Sequence, residues 1–571
     1  MSDPSSPAKR TSLVSAFAFF GDRRALVMLG LGFAAGLPFL LVFDTLSAWL
    51  RQANLSLEVI GYFSLATIAS SLKFLWAPLI DRTNVPVLTN LLGHRRSWML
   101  VAQAAIVLGL WLIAGANPAQ NLSLVALFAV CVGFASATQD IVVDAWRIEA
   151  AEQERQGLMA AAYQWGYRVA QIIAGALALA LADAYGWQLS YTVMAAFMAI
   201  GVGAVLFAPR EQAHTIRHIP VEGIPHRAIP EAVEWFVRLI ILIISAILIG
   251  LGLTGNGPFL SFLTAPLIGA DASTAFTGAF TAKPDGIWLQ LLFVALGFTA
   301  LVVAALPIPG VKTRPGASLS HMLGDPLQDF FQRHRGAATL ILALICVYRL
   351  AESVLVIMNP FYQDLGFSLT EIAEVRKLFG VVATLIGVSA GGVAILRLGL
   401  MRSLVIGAFA QPISHIGFIW LATQGHHMPA LFTAIGLDNV ASGFAGTCLI
   451  AYMSSLTSVG FTASQYALFS SLYSLFGKII ASQSGRIVES SAQAAEGGGG
   501  FGALRSLFSG LTTESYTRAA DLHVSAASLG AGYVVFFLYT AVVGVAGIFL
   551  AMIIAARPQT PAGEAASPRA V

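Results

Sequence analysis

The chain reads Asn54-Leu55-Ser56-Leu57-Glu58-Val59-Ile60-Gly61 near the start of one long apolar run and Gly366-Phe367-Ser368-Leu369-Thr370-Glu371-Ile372-Ala373 near the start of another. Each stretch opens the second apolar run in a set of six. Similarity between corresponding places in two such sets indicates an internal repeat. We therefore predict two related halves, each built from six hydrophobic helices.

Composition indicates that most of the surface of this chain faces lipid. Hydrophobic residues make up 57% of the 571 residues and charged residues only 11%, whereas soluble proteins carry roughly 25% charged residues. A helix needs about 20 apolar residues to cross a bilayer, and it satisfies its own backbone hydrogen bonds there. The candidate spans are residues 28–50, 57–80, 97–115, 121–146, 161–183, 189–208, 236–257, 287–308, 337–360, 371–396, 402–422, 429–453, 462–483 and 530–556. The sequence thus predicts an all-α polytopic membrane protein with about 14 transmembrane helices, arranged as six, two and six.

Polar segments divide the chain and orient it. Most of the 32 Lys and Arg residues fall on one side of the predicted bilayer, and positively charged loops stay in the cytoplasm, so we expect both termini to be cytoplasmic. The glycine-rich run from Glu496 to Gly500 predicts a mobile loop. The predicted domains are a cytoplasmic tail (1–24), a first six-helix bundle (25–208), a central insert with two transmembrane helices and cytoplasmic linkers (209–336), a second six-helix bundle (337–556) that contains a Gly-rich periplasmic loop (485–528), and a second cytoplasmic tail (557–571).

The sequence also argues against several classes of protein. Cys131, Cys346 and Cys448 lie inside apolar runs without metal-ligand spacing, so we expect them to pack as small buried residues. The net charge of +3 does not suggest a nucleic-acid partner. The spans contain no nucleophile elbow, phosphate loop or metal spacing, so we expect neither an enzyme nor a bound metal or cofactor.

Charged residues inside the predicted spans mark the candidate site, because such residues should face a wet cavity or a partner. Asp140 and Asp144 are four residues apart on one helix, which places both carboxylates on one face. Two neighbouring carboxylates do not both ionise cheaply, and a nearby Arg147 or Arg168 would relieve the repulsion. The group can bind a proton, contact a polar substrate, or pair structurally with the fifth helix.

The second half carries its own candidates. Arg349 and Glu352 are three residues apart and could pair on one helix face; alternatively, Arg349 could hold a substrate carboxylate in a bidentate contact. Lys73 and Lys478 lie nearer helix ends, where their ammonium groups could reach the interface. The proton-coupling candidates are Asp140, Asp144 and Glu352. The substrate-binding candidates are Asp44, Gln139, Gln164, Tyr167, Arg168, Tyr348, Arg349, Asp438 and Gln465.

The loop after the second helix carries a charge motif in both halves. The first half reads Ala77-Pro78-Leu79-Ile80-Asp81-Arg82 and then Arg95-Arg96; the second reads Ile395-Leu396-Arg397 and then Arg402. These stretches resemble the major facilitator signature G-x-x-x-D-R-x-G-R-R, although the first copy has inserted residues and the second lacks the Asp. Such charges can form an interhelical cluster that stabilises one conformation, or they can simply follow the positive-inside rule. The conformational-gate candidates are Asp81, Arg82, Arg95, Arg96, Arg397 and Arg402.

Most of the chain resembles one family within that superfamily, the AmpG anhydromuropeptide permeases of Gram-negative inner membranes. The most specific stretch is Lys73-Phe74-Leu75-Trp76-Ala77-Pro78-Leu79-Ile80-Asp81-Arg82. Two stretches depart from the family's usual pattern: Glu352 stands where Asp is common, and residues 458–461 lack two arginines. The resembling stretches are residues 32–39, 46–51, 72–82, 95–98, 137–141, 144–147, 167–168, 348–350, 364–368, 376–377 and 461–468.

The resemblance implies a major facilitator fold and proton-coupled import of N-acetylglucosamine-1,6-anhydro-N-acetylmuramyl peptides. In this family the import serves peptidoglycan recycling and, in some organisms, β-lactamase induction. The implied partners are the muropeptide, protons and the inner-membrane bilayer, and we expect a monomer. An acetyl-coenzyme A carrier remains an alternative, which would require basic residues converging on the cavity. A non-transporting receptor or membrane enzyme is a third class.

Overall fold

The computed structural model describes residues 22–52, 71–116, 118, 121–152, 155–210, 224–282, 285–350, 357–481, 484–498, 500–508, 515–520 and 522–557. All regular structure among these residues is helical. Eleven of the described helices are long and apolar enough to cross a membrane. The predicted all-α membrane fold is therefore confirmed, whereas the total of about 14 spans stays a prediction.

The first half follows the predicted order of helices as far as it is described; the stretch Asn54–Gly61 and most of the second predicted span (57–80) lie outside the described residues. Helix α1 continues through a π-helical turn at Leu41–Thr45 into Leu46–Gln52, and α5 continues through a π-helical turn at Ile173–Leu177 into Ala178–Tyr185. The helices are α1 (Arg23–Leu40), α2 (Ala77–Arg82), α3 (His94–Gly115), α4 (Leu122–Ala150), α5 (Gln156–Ile172) and α6 (Trp187–Phe207).

The insert between the halves contains more helices than the two predicted spans. Two short helices connect the long ones, and an amphipathic helix without a membrane-spanning length of apolar residues leads into the second half. They are α7 (Ala228–Thr254), α8 (Gly257–Ile268), α9 (Ala270–Thr281), α10 (Gly286–Ala305) and α11 (Arg314–Arg333).

The second half repeats the helix order of the first and adds one helix. The helices are α12 (Ala338–Val347), α13 (Gly380–Leu398), α14 (Leu400–Gln424), α15 (Met428–Ser455), α16 (Thr462–Ala481), α17 (Ser484–Glu496) and α18 (Ala526–Ala555). Shorter helical segments at Met358–Asp364 and Leu369–Ala373 precede α13.

The segment predicted as a loop at 485–528 is partly a packed structure. Helix α17 buries Val488, Ala492 and Ala495, which follow helical spacing and pack into the core of the second half with α18. Beyond it, Tyr516 is buried and its hydroxyl donates to the Ala422 carbonyl at 2.7 Å. The prediction of a loop was wrong for α17. The apolar face of this helix is narrow and consists largely of small residues, so it gives little signal in the sequence.

Glycines allow the helices within each half to approach closely. A Cβ atom on Gly166 of α5 would lie 1.9 Å from the Leu29 carbonyl oxygen of α1. In the second half, a Cβ atom on Gly443 of α15 would lie 2.3 Å from the Thr384 carbonyl oxygen of α13. Small residues at such crossings are the usual means of packing membrane helices, because lipid offers no hydrophobic drive for association.

The internal repeat is visible in the turn before the third helix of each half. Gly93 and Gly399 both have positive φ (100° and 84°) immediately before α3 and α14. Ser97 and Ser403 then donate their hydroxyls back to the carbonyls of these glycines, at 2.6 and 2.9 Å. Two turns with the same backbone and the same side-chain hydrogen bond support a duplicated six-helix unit.

Candidate functional site

The specific stretch around Lys73 interrupts its helix. Residues Lys73–Leu75 form a 3₁₀ turn, and α2 begins after Trp76 with Pro78 in its first turn, where a missing N–H is tolerated. The indole Nε1 of Trp76 donates to Thr138 Oγ1 of α4 at 3.0 Å. This bond holds the interrupted helix against α4, next to the acidic residues of that helix.

Lys73 forms an ion pair in the interior. Its Nζ lies 3.7 Å from Asp144 Oδ2, and Arg147 Nη2 lies 3.4 Å from Asp144 Oδ1. Lys73 is only 7% exposed, so the prediction that it extends to the interface was wrong. Arg147 or Arg168 was predicted to relieve the repulsion within the acidic pair. Arg147 contacts Asp144, whereas Arg168 donates to Gln171 on its own helix at 3.0 Å. Two cationic side chains therefore lie around the Asp144 carboxylate.

Asp140 lies beside this ion pair. Its Oδ1 is buried and has no hydrogen-bond partner among the described residues, and the same holds for both amide atoms of the fully buried Gln139. Lys73 and Asp144 are the charged neighbours of Asp140. Buried polar groups are nearly always hydrogen-bonded, so this unsatisfied pair suits a proton or a polar ligand.

The acidic helix also faces the other half of the protein. Arg147 Nη1 donates to Ser454 Oγ of α15 at 2.9 Å, and its guanidinium lies 5.2 Å from the centre of the Tyr466 ring of α16. On α5, the rings of Tyr163 and Tyr167 lie beside Asp140. Asp140 and Asp144 are therefore next to the boundary between the halves.

A charge network joins the halves at the end of the bundle that carries Asp81, Arg82, Arg95 and Arg96, here named the arginine-rich end. Arg95 Nη2 lies 2.9 Å from Asp81 Oδ1 and 2.7 Å from Glu149 Oε1, with Asp81 and Arg95 fully buried. The second Asp81 oxygen accepts from the backbone N–H and hydroxyl of Ser464, at 2.8 and 2.6 Å. Asp81 of the first half thus lies at the N-terminus of α16 in the second half, a favourable place for an anion.

Helix α11 of the insert extends this network. Arg82 Nη2 lies 3.1 Å from Asp325 Oδ2, which ties α11 to the first half. Asp329 accepts from Ser458 Oγ at 2.8 Å and from Gln465 Nε2 at 2.9 Å, which ties the same helix to the second half. Burial alone would raise the pKa of Asp329, but hydrogen bonds from Ser458, Gln465 and Arg333 and the positive charge of Arg333 lower it overall.

Some predicted site residues make contacts that differ from their predicted roles. Gln465 bonds to α11 through Asp329 and the Pro326 carbonyl, so its amide is engaged in joining the insert. Arg96 donates to the Val205 and Leu206 carbonyls at the end of α6, at 2.9 Å each, which satisfies a helix C-terminus. Arg397 and Arg402 are exposed and form no ion pair among the described residues. The structure therefore assembles the first copy of the gate motif but not the second.

The remaining candidates lie in both halves. Arg349 Nη2 donates to Ser442 Oγ of α15 at 2.8 Å, and the Tyr348 hydroxyl donates to the Leu404 carbonyl at 2.7 Å inside the second half. Asp438 Oδ1 accepts from Ser414 Oγ at 2.9 Å. Gln164 and Tyr167 are half-buried on α5. Glu352 and the side chains of Asp44 and Lys478 lie outside the described part.

A cavity of about 300 Å³ lies between the insert and both halves. Its walls include Phe74 and Pro78 from the first half, Leu323 from α11 and Leu468 from α16. The lining is almost entirely apolar, which does not suit a polar solute. Cys346 and Cys448 are buried as predicted, whereas Cys131 is exposed on α4, and the described residues hold no group of side chains that could bind a metal ion.

Comparisons with known proteins agree with this architecture. A family model described as Major Facilitator Superfamily matches residues 85–282, and one described as Acetyl-coenzyme A transporter 1 matches residues 25–122. The solved proton:xylose symporter XylE, bound to 6-bromo-6-deoxy-D-glucose, has the same fold with a TM-score of 0.52 at 11% identity, over 92% of this chain and 95% of that chain.

Two relatives are similar to this chain over most of its length. The chain is 29% identical over 538 residues to the Anhydromuropeptide permease of Escherichia coli (strain K12), covering 92% of this chain and 87% of that protein. It is also 29% identical over 472 residues to Putative transporter AmpG 4 of Rickettsia felis (strain ATCC VR-1525 / URRWXCal2), covering 82% and 91%. The chain is thus a multi-pass membrane transporter with the major facilitator fold and not an enzyme, and it is similar over most of its length to AmpG permeases.

Proposed function

We propose that this chain imports anhydromuropeptides from periplasm to cytoplasm, driven by protons, as a step in peptidoglycan recycling that in some bacteria also influences β-lactamase induction. The name of the Escherichia coli relative, Anhydromuropeptide permease, supports the substrate class. The observation that carries the proton coupling is the buried Oδ1 of Asp140, which has no hydrogen-bond partner in the described part of the chain and lies beside the Lys73–Asp144 ion pair. The protein acts as a monomer in the inner membrane, with both termini cytoplasmic and no cofactor.

The ion pair explains why Asp140, more than Asp144, suits the transported proton. Asp144 is compensated by Lys73 and Arg147, so protonating it would leave two buried cations without their anion. Asp140 has Lys73 as a positively charged neighbour, and its Oδ1 has no hydrogen bond to the residues that the structure describes. Neutralising such a carboxylate removes an unpaired charge from the membrane interior, which lowers the cost of moving α4 against the second half.

The charge network at the arginine-rich end serves as the conformational gate in this mechanism. Asp81, Ser464, Arg147 and Ser454 connect the halves there, and the sequence predicts that this end is cytoplasmic. With that orientation, contacts at this end close the path toward the cytoplasm and leave the protein ready for a periplasmic substrate. Import requires the Asp81–Ser464 contacts to break while the halves rock around the bound solute.

Uptake by proteoliposomes tests the proposal. We expect the wild type to accumulate a labelled disaccharide–tripeptide only when a pH gradient is imposed. Asp140→Asn should lose this accumulation but keep exchange of internal for external substrate, because exchange moves no net proton. The matched control is Asp183→Asn, which changes an exposed aspartate on the continuation of α5 and should transport normally.

Two results would redirect the interpretation. If Asp140→Asn and Asp144→Asn vesicles still accumulate substrate with the gradient, the proton assignment is wrong. If the wild type shows no muropeptide uptake but carries acetyl-coenzyme A, the second candidate function holds, which the match of residues 25–122 to an acetyl-coenzyme A transporter model favours.

A further inference from the structure

The apolar cavity lies where the insert and the two halves meet. Helices α10 and α11 form one side, Pro78 of α2 belongs to the second, and Leu468 of α16 belongs to the third. Its volume of about 300 Å³ is within the range of ligand pockets. The side chains that line it carry two polar groups, the hydroxyls of Ser320 and Ser464, and that of Ser464 already donates to Asp81. An occupant of this cavity is therefore apolar.

Gly324 leaves space for such an occupant in the middle of α11. Among the described residues, no atom lies within 4 Å of the place that a Cβ atom on Gly324 would take, unlike at Gly166 and Gly443. Gly324 also lies inside the continuous helix Arg314–Arg333 and not at a turn, and a glycine inside a helix is less favourable than alanine. Since neither a close helix crossing nor a turn requires glycine here, the missing side chain indicates space that is used.

The cavity continues into the lipid-facing surface at the end of α10. This helix is long and apolar enough to cross a membrane. Val302 and Leu306 line the cavity and are 54% and 56% exposed, and Leu327 of α11 lines it and is 36% exposed. Water needs two or more polar partners to occupy a cavity, whereas hydrocarbon chains of the bilayer need none. The occupant that fits this apolar space is therefore the acyl chain of a membrane lipid.

The walls of the cavity also carry the contacts that close the arginine-rich end. Pro78 lines the cavity, and the next turn of α2 contains Asp81 and Arg82. Arg82 pairs with Asp325 of α11 at 3.1 Å, beside the residues of α11 that line the cavity. Ser464 lines the cavity and donates both its backbone N–H and its hydroxyl to Asp81. A chain in the cavity thus packs against the three segments that these polar contacts hold together.

We propose that the cavity binds the acyl chain of a membrane lipid, and that this chain stabilises the conformation in which the Asp81–Ser464 contacts are formed. The bound chain contacts α2, α11 and α16 together, and these apolar contacts are lost when α2 and α16 separate. A ligand that binds one conformation better shifts the population toward it. The predicted orientation places this lipid in the cytoplasmic leaflet. The presence of the chain does not depend on transport, whereas its effect on the gate rests on the role proposed above for these contacts.

Photo-crosslinking tests whether a chain occupies the cavity. The protein is placed in nanodiscs of phosphatidylethanolamine and phosphatidylglycerol in which a small fraction of the lipid carries a diazirine within one acyl chain. Mass spectrometry should find label on Leu468 in the cavity and on Val303, an exposed residue of α10 outside the lining. Gly324→Leu fills the cavity, so the ratio of label on Leu468 to label on Val303 should fall by about fivefold or more.

Two further variants make this result specific. Gly278→Leu is the matched control, because Gly278 of α9 is exposed and a Cβ atom on it also meets no described atom within 4 Å; it should keep the wild-type ratio. Ser320→Leu fills the cavity from the same helix as Gly324→Leu and should also lower the ratio. If Leu468 of the wild type carries no label while Val303 does, or if Gly324→Leu and Gly278→Leu give the same ratio, the cavity holds no lipid chain and the proposal is overturned.

The distance between the halves tests the effect on the gate. With all native cysteines replaced, spin labels are attached at Leu91 and Leu398, which are exposed. In Gly324→Leu the new side chain takes the place of the lipid chain permanently, so the distance distribution should shift toward shorter values than in the wild type and Gly278→Leu. An unchanged distribution, with label still lost from Leu468, would refute the effect on the gate. Failure of the wild type to take up muropeptide would refute the proposed function alone and would not alter the crosslinking result.

Discussion

The two halves share a helical framework but place their charges differently. Asp140 stands as far along α4 from Asn121 as Gly446 stands along α15 from His427. In the second half the missing side chain leaves room for the guanidinium of Arg349, whose Nη1 would lie 3.0 Å from a Cβ atom on Gly446. Equivalent places on the repeated scaffold therefore hold a carboxylate in one half and a guanidinium in the other. Duplication preserves backbone packing, while chemistry at the boundary is free to diverge.

The contacts between the halves show the same asymmetry. Asp81 crosses to the N-terminus of α16 with two hydrogen bonds. At the equivalent crossing, Ile395 at the end of α13 packs on Gly157 at the start of α5, where a Cβ atom would lie 2.8 Å from Ile395 Cδ1. The Asp81 crossing is polar, so separating it requires loss of a charged contact. The Ile395 crossing is apolar, so its two surfaces can slide past each other. We therefore expect opening to depend mainly on the first crossing.

The largest expected effect comes from breaking the shared framework. Gly166→Ala places a methyl group on the Leu29 backbone, and Gly443→Ala places one on the Thr384 backbone; since neither carbonyl can move freely, each should destabilise the protein by about 3 kcal/mol. Gly203→Ala is the control, because nothing lies within 4 Å of a Cβ atom there. Thermal unfolding in detergent, followed by size-exclusion chromatography, measures the difference. Equal melting temperatures for Gly166→Ala and Gly203→Ala would contradict the packing.

The second prediction concerns the two copies of the gate motif. Asp81→Asn removes a buried partner of Arg95 and the charge at the start of α16, so we expect a cost of about 3 kcal/mol to the closed state. Arg402→Gln, in the second copy, should change nothing because the side chain is exposed. Spin labels on the exposed positions Leu91 and Leu398, in a chain without native cysteines, report the distance between halves.

The outcome of the distance measurement separates the two copies of the motif. Asp81→Asn should lengthen and broaden the distribution, while Arg402→Gln should reproduce the wild type. A broadened distribution in both variants would show that the second copy contributes to closure despite its exposure. An unchanged distribution in both would show that the Asp81 contacts do not keep this end closed.

Sequence reasoning located the charges but not all of their partners. The spacing of Asp140 and Asp144 was sufficient to predict a shared face, because helical geometry is local. It did not predict that Lys73 is buried against Asp144, because the interruption of its helix depends on packing against α4. Ser464 and Asp329 were missed for a related reason: a serine at a helix start and an acid in a polar insert gain significance only through tertiary contacts.

The smallest expected effect concerns the attachment of α11, which has no counterpart in the repeat. The lowered pKa of Asp329 means that its ionised form is stabilised in the folded protein. This contribution is fully present at neutral pH and is lost as the pH falls below the ordinary carboxyl range toward the lowered value. Because the group is half-buried, Asp329→Asn should weaken docking by less than about 1 kcal/mol.

Hydrogen exchange across Arg314–Arg333, corrected for intrinsic rates, should rise in Asp329→Asn at pH 7 and in the wild type on acidification. The exposed Asp271→Asn on α9 should leave exchange unchanged, and equal protection in both variants would show that the Asp329 contacts do not hold this helix between the halves.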